Sequence, residues 1–147
     1  MITAVDPTIL IDIFEPDPSF GPRSKEALRE AIADGGVIAC EMVWAEVAAT
    51  FPSAAQAQQA MEQLGLDFSP IGVAAAMAAG VAWRSYRRRG GPRTRLVADF
   101  LVGAHARLQA DRLLTRDRGF YRTYFRELRI LDPSASARGG KDEDRTV

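Results

Sequence analysis

Four carboxylates and two hydroxyls hold most of the chemistry this sequence offers: Asp6, Glu46, Asp99, Asp117, Thr8 and Thr115. Asp6 ends a short apolar run at residues 2–6, and Asp117 follows another at residues 113–115. Asp99 stands in the first turn of a helical pattern, and Glu46 lies among Val43, Val47 and small apolar neighbours. An acid on the apolar side of a short helix needs a partner. Several carboxylates drawn together without compensation repel one another and raise one another's pKa values. The two lysines, Lys25 and Lys141, are not placed to neutralise them. A hard divalent cation would, because Mg²⁺ or Mn²⁺ takes carboxylate and water ligands. Such a metal polarises a phosphodiester and activates water at neutral pH, so the implied substrate bears phosphate.

These acids matter only if the chain brings them to one place. The runs at residues 2–6, 37–40, 113–115 and 128–131 predict strands, and residues 66–68 give a weaker strand signal. Helices are expected over residues 8–14, 24–33, 41–50, 54–64, 70–89, 96–110 and 119–125. Ser24 and Ser53 are the expected caps of the second and fourth, and the prolines and glycine of residues 15–22 predict a loop. Strands alternating with helices predict an α/β domain with a mainly parallel sheet. In such a sheet, sites form beyond the carboxyl ends of the strands, where Asp6 and Asp117 fall. On a helical wheel Asp99 lies about 60° beyond the edge of the apolar arc made by Leu96, Val97, Phe100, Leu101, Ala104 and Leu108.

Composition narrows the class. At 147 residues, 47% of them hydrophobic, the chain is expected to form one domain, with residues 134–147 a disordered tail. No uncharged apolar run approaches the roughly 20 residues of a membrane span, and no secretory signal is visible. A lone cysteine, Cys40, suits a reducing cytoplasm. Net charge is zero, yet residues 1–80 carry eleven acids against three bases and residues 81–131 carry thirteen arginines against four acids. That segregation points to a polyanionic partner. Arg84, Arg87, Arg88, Arg89, Arg93 and Arg95 form the expected phosphate-contacting cluster, with Trp83 and Tyr86 as candidate base-stacking rings.

At these residues the sequence resembles the PIN-domain ribonucleases, in size and order the VapC toxins of type II toxin–antitoxin pairs. The resemblance rests on Asp6 after the first strand, Ala45-Glu46-Val47, Ala98-Asp99, and Leu113-Leu114-Thr115-Arg116-Asp117-Arg118-Gly119-Phe120. It covers residues 1–131. It implies a PIN-like fold over residues 1–133, with a mainly parallel central sheet of about four to five strands flanked by helices on both faces. It further implies that Asp6, Glu46, Asp99 and Asp117 form the catalytic, Mg²⁺- or Mn²⁺-binding quartet, and that Thr115 supports it. The implied partners are an RNA substrate, a cognate antitoxin and a second copy of the chain. Where the family has Asp followed by Thr or Ser, this chain has Asp6-Pro7-Thr8; Thr8 keeps a hydroxyl, while Pro7 removes a backbone N–H.

Plainer readings stand beside these. Asp6 and Asp117 could be helix caps only. Glu41 rivals Glu46, but the two lie about 140° apart on a helix, so both cannot face one site. Asp12 is expected to be solvated and Asp111 structural. His105, the only histidine, sits about 120° around the helix from Asp99 and is expected to point away from the acids. Arg116, with Arg95, lies nearest the acids and is open to three roles: RNA contact, pairing with carboxylates, or holding the antitoxin. Trp44 and Met42 read as core or dimer interface. Two other functions compete: a non-enzymatic RNA-binding or assembly module, and a Mg²⁺-dependent phosphoacceptor domain. The latter needs a lysine at a late strand end, which is missing.

Overall fold

The computed structural model describes residues 1–92 and 97–134. Arg93, Arg95 and Leu96, and the expected tail beyond Ser134, lie outside the described residues. The elements run β1 (Thr3–Val5), α1 (Pro7–Phe14), α2 (Gly21–Asp34), β2 (Val37–Ala39), α3 (Glu41–Ala48), α4 (Ala54–Gln63), β3 (Leu66–Phe68), α5 (Val73–Arg88), α6 (Val97–Gln109), β4 (Arg112–Leu114), α7 (Arg118–Tyr124) and β5 (Ile130–Leu131). The five strands form one parallel sheet in the order β3-β2-β1-β4-β5.

The order has a functional consequence. The chain starts in the middle of the sheet and works outward through β2 to β3. It then returns through α5 and α6 to place β4 on the other side of β1, in the register Ala4↔Leu113 and Val5↔Leu114. The strand order therefore reverses between β1 and β4, the place where open parallel sheets build their sites. Thr3, Ala4 and Val5 are all buried although successive side chains point to opposite faces, so both faces of β1 are covered. This is why β1 and β2 show no alternation of apolar and polar residues, while the edge strand β3, exposed at Asp67 and Phe68, breaks the pattern.

Local signals account for the starts of α1 and α4. Asp6 caps α1 and Pro7 occupies its first turn, where the missing N–H is not needed. Ser53 caps α4 by accepting from Gln56 N–H. The expectation for Ser24 needs correction. Helix α2 begins at Gly21, with Pro22 in its first turn, so Ser24 lies inside the helix and is buried. The entry to α2 is shaped instead by Asp17, whose carboxylate accepts from the N–H groups of Ser19 and Phe20. Helices α5 and α6 pack on each other, and α6 reaches β1 and β4. Gly103 lets α6 lie against Phe125: a Cβ there would stand 2.4 Å from that ring.

Candidate active site

Asp6 is held through both its backbone and its side chain. Its backbone N–H donates to Leu114 O of β4, which ties the end of β1 to the neighbouring strand. Its carboxylate is buried and takes three donors: Thr8 N–H on Oδ1 at 2.8 Å, and the hydroxyls of Thr115 and Tyr121 on Oδ2, each at 3.0 Å. Asp6 is thus a cap, but two of its bonds come from 109 and 115 residues away and have nothing to do with capping. Thr8 supports the acid through its backbone, and its side chain is exposed. Since the donor is the residue after Pro7, the proline leaves this bond intact.

Thr115 does two jobs. Its hydroxyl donates to Asp6 and accepts from the backbone N–H of Asp117 at 3.0 Å. The side chain of Asp117 does not cap α7. Glu46 is exposed, while Val43 and Val47 form the buried side of α3, so it does not stand on the apolar face as its neighbours in sequence suggest. Its carboxyl is raised above the ordinary glutamate value, first by partial desolvation, then by the charges of Asp99 and Asp6. The phenol of Tyr121 is raised well above its ordinary value, first by burial, then by Asp6, with Asp99 and Asp117 adding their charges. Asp6 and Asp99 thus bear on Glu46, and Asp6, Asp99 and Asp117 on the Tyr121 hydroxyl.

The donor set is all oxygen, which suits a hard divalent cation. Among the described residues, no three His, Cys, Asp or Glu side chains stand close enough together to hold a metal ion by themselves. Mg²⁺ keeps several waters and needs only one or two carboxylates directly, so a set of acids short of a full cage is compatible with it.

Other candidates fall elsewhere. Asp12 is not solvated. It is buried and forms a two-pronged pair with Arg116, Nε to Oδ2 at 2.8 Å and Nη2 to Oδ1 at 3.0 Å, with Ser24 Oγ donating as well. The Arg116 guanidinium also lies over the Phe20 ring at 3.9 Å. Of its three open roles, pairing with a carboxylate is the one seen, and the carboxylate is Asp12. Tyr86 is buried against Phe100 and Tyr124 and donates to Pro92 O, so it offers no ring for stacking on a base. His105 is buried, meets Ser69 Oγ at 2.9 Å, and its pKa is lowered, chiefly by desolvation. Asp111 is structural, accepting from Ile2 N–H at 2.6 Å. Trp44 and Met42 pack against the core.

Tyr121 was not among the residues picked out by the sequence. Its helix phase marks it only as one more aromatic in the run from Phe120 to Phe125, and its partner is 115 positions away.

The sequence matches the PIN domain family model over residues 4–126. This chain belongs to the PIN domain family. The PIN fold also appears in its structural likenesses. A chain of VapBC2 from Rickettsia felis, solved bound to a DNA fragment from its promoter, shares 15% identity at a TM-score of 0.69, with 90% of this chain and 98% of that one covered. For VapBC-1 from nontypeable Haemophilus influenzae the figures are 18%, 0.68, 91% and 99%. For a toxin–antitoxin complex from Klebsiella pneumoniae they are 20%, 0.65, 89% and 97%. No curated protein sequence matches the chain. Among the described residues of this PIN domain, no helix is long and apolar enough to cross a membrane.

Proposed function

We propose that this PIN domain is a metal-dependent endoribonuclease, the toxin of a VapBC-like pair, acting in the cytoplasm and held inactive by a cognate antitoxin. The observation that carries the reading is Asp6 at the switch point between β1 and β4, buried and held by Thr115 and Tyr121, with the charges of Asp6 and Asp99 felt at Glu46 and those of Asp6, Asp99 and Asp117 felt at Tyr121. The likeness to VapBC structures supports an antitoxin partner.

Mg²⁺ or Mn²⁺ held by these acids would polarise the scissile phosphodiester and promote attack by water. The chain's own residues do the preparatory work. Thr8 N–H, Thr115 and Tyr121 hold the Asp6 carboxylate in one orientation. Arg116, locked on Asp12, anchors the segment between Thr115 and Asp117. Tyr86 of α5 packs on Phe100 of α6, one residue beyond Asp99, so the basic end of α5 adjoins the helix that bears that acid. Arg87, Arg88 and Arg89 there, with Arg93 and Arg95 beyond the described residues, are the proposed RNA-backbone contacts. Arg116 is removed from that set, because its guanidinium is engaged by Asp12.

Purified protein should cleave transfer or total RNA with Mg²⁺ or Mn²⁺, and Asp99→Asn should not. Equal cleavage by the two would overturn the reading. The alternative of a non-enzymatic RNA-binding module draws support from the absence of a closed cage among the described acids. Calorimetry separates the two: Mn²⁺ binding abolished by Asp6→Asn argues for the enzyme. A homodimer is supported by Val73, Met77 and Val81, which recur every four residues along α5 and are 79%, 64% and 60% exposed. Light scattering on Met77→Glu tests it, with a shift to monomer expected.

A further inference from the structure

We propose that Tyr121 is a positioning residue of the carboxylate site: its hydroxyl, together with that of Thr115, occupies Asp6 Oδ2 and leaves Oδ1 as the oxygen offered to a cation. The inference rests on the reading of this site as a cation site.

A carboxylate has about four lone-pair positions, two on each oxygen. On Asp6 both positions of Oδ2 are taken, by Thr115 Oγ1 and by the Tyr121 hydroxyl. Among the described residues Oδ1 accepts from Thr8 N–H alone, which leaves it a second position. The acid's backbone is equally fixed, its N–H on Leu114 O and its C=O accepting from Ile9 N–H. The remaining freedom of Asp6 is rotation of the carboxylate, and two hydroxyls on one oxygen remove it.

Tyr121 is itself held. It is 2% exposed, its ring meets Phe120 edge-on at 5.0 Å and lies 6.4 Å from Phe125, and Phe125 fills the space opened by Gly103. The hydroxyl therefore cannot swing away without unpacking this aromatic cluster. Its chemistry also suits the place. Three carboxylates act on it, and a lysine or arginine there would neutralise the group and compete with a metal. A phenol donates a hydrogen bond and adds no charge. Groups that orient a metal-binding side chain without touching the ion commonly change metal affinity or activity about 10- to 100-fold when removed.

Tyr121→Phe keeps the ring and removes the donor. With full-length protein, Mn²⁺ affinity by calorimetry should fall about 10- to 100-fold. RNA cleavage should fall with it at limiting Mn²⁺ and recover in part at saturating Mn²⁺, while KM for RNA stays unchanged. Thr115→Val removes the other donor to the same oxygen. The double variant should lose less affinity than the product of the two single losses, because both hydroxyls act through one carboxylate. Mn²⁺ affinity of Tyr121→Phe within twofold of wild type would overturn the inference, as would multiplicative losses in the double variant. If wild-type protein bound no Mn²⁺ at all, the cation-site reading would fall and this inference with it. Normal wild-type binding with an unaffected Tyr121→Phe would sink this inference alone.

Discussion

Two buried carboxylates bracket helix α1, Asp6 at its start and Asp12 near its end, 6% and 5% exposed. They are treated in opposite ways. Asp12 receives a full positive charge, the fork of Arg116, plus the Ser24 hydroxyl. Asp6 receives a backbone N–H and two hydroxyls, all neutral, and shares a field with Asp99 and Glu46. A buried carboxylate neutralised from within belongs to the scaffold. One that, among the described residues, is oriented by neutral donors and paired with no cation is arranged for a cation from outside, as the proposed nuclease requires. The same segment serves both: Thr115 reaches Asp6, and Arg116, the next residue, reaches Asp12.

The contrast predicts that the two acids fail differently. The largest effect on stability should come from Arg116→Met, which leaves Asp12 buried with Ser24 alone and should cost about 3 kcal/mol in urea unfolding at pH 7. A cost below about 1 kcal/mol would remove Asp12 from the scaffold class. Asp6→Asn should do the reverse, lowering RNA cleavage by about 100-fold or more while thermal stability stays near wild type. A collapse of stability in Asp6→Asn would break the distinction.

The arginines repeat the comparison. Arg116 is paired, whereas among the described residues no carboxylate pairs with Arg87 or Arg88. Replacing Arg87 and Arg88 by alanine should leave stability unchanged and weaken RNA binding. The slope of log affinity against log salt should drop by about 0.7 for each phosphate that is no longer neutralised. An unchanged slope would move the RNA surface elsewhere.

The smallest effect concerns Glu46. Its folded pKa is raised above the ordinary 4.5, so its contribution to stability is fully present below that pH and is lost as pH rises through the shifted value. Without metal, Glu46→Gln should therefore gain on wild type as pH rises from 4.5 towards 7, reaching about one or two degrees in Tm. Added Mn²⁺ should reverse the order, because the glutamine removes a ligand charge. A gap that stays flat with pH would mean that Glu46 lies outside the field of Asp99 and Asp6.

The sequence by itself determined the elements and the candidate acids. Apolar runs marked the strands, Asp6-Pro7 and Ser53 marked two helix starts, and the acids stood at the strand and helix ends. These are local matters, settled within a few residues by periodicity and by which backbone N–H groups need a partner. Ser24 departs from its expected place as a cap for a related reason. Gly21-Pro22 reads as a breaker, yet proline is well tolerated in the first turn of a helix, so α2 starts earlier and Ser24 turns inward to Asp12. Only the tertiary structure decided which acids acquire cations and which acquire hydroxyls. Arg116 and Asp12 are 104 residues apart, and Tyr121 and Asp6 are 115 apart. Their meetings follow from the return of the chain that sets β4 beside β1. That placement is fixed by burying the whole sheet, and no stretch of sequence encodes it alone.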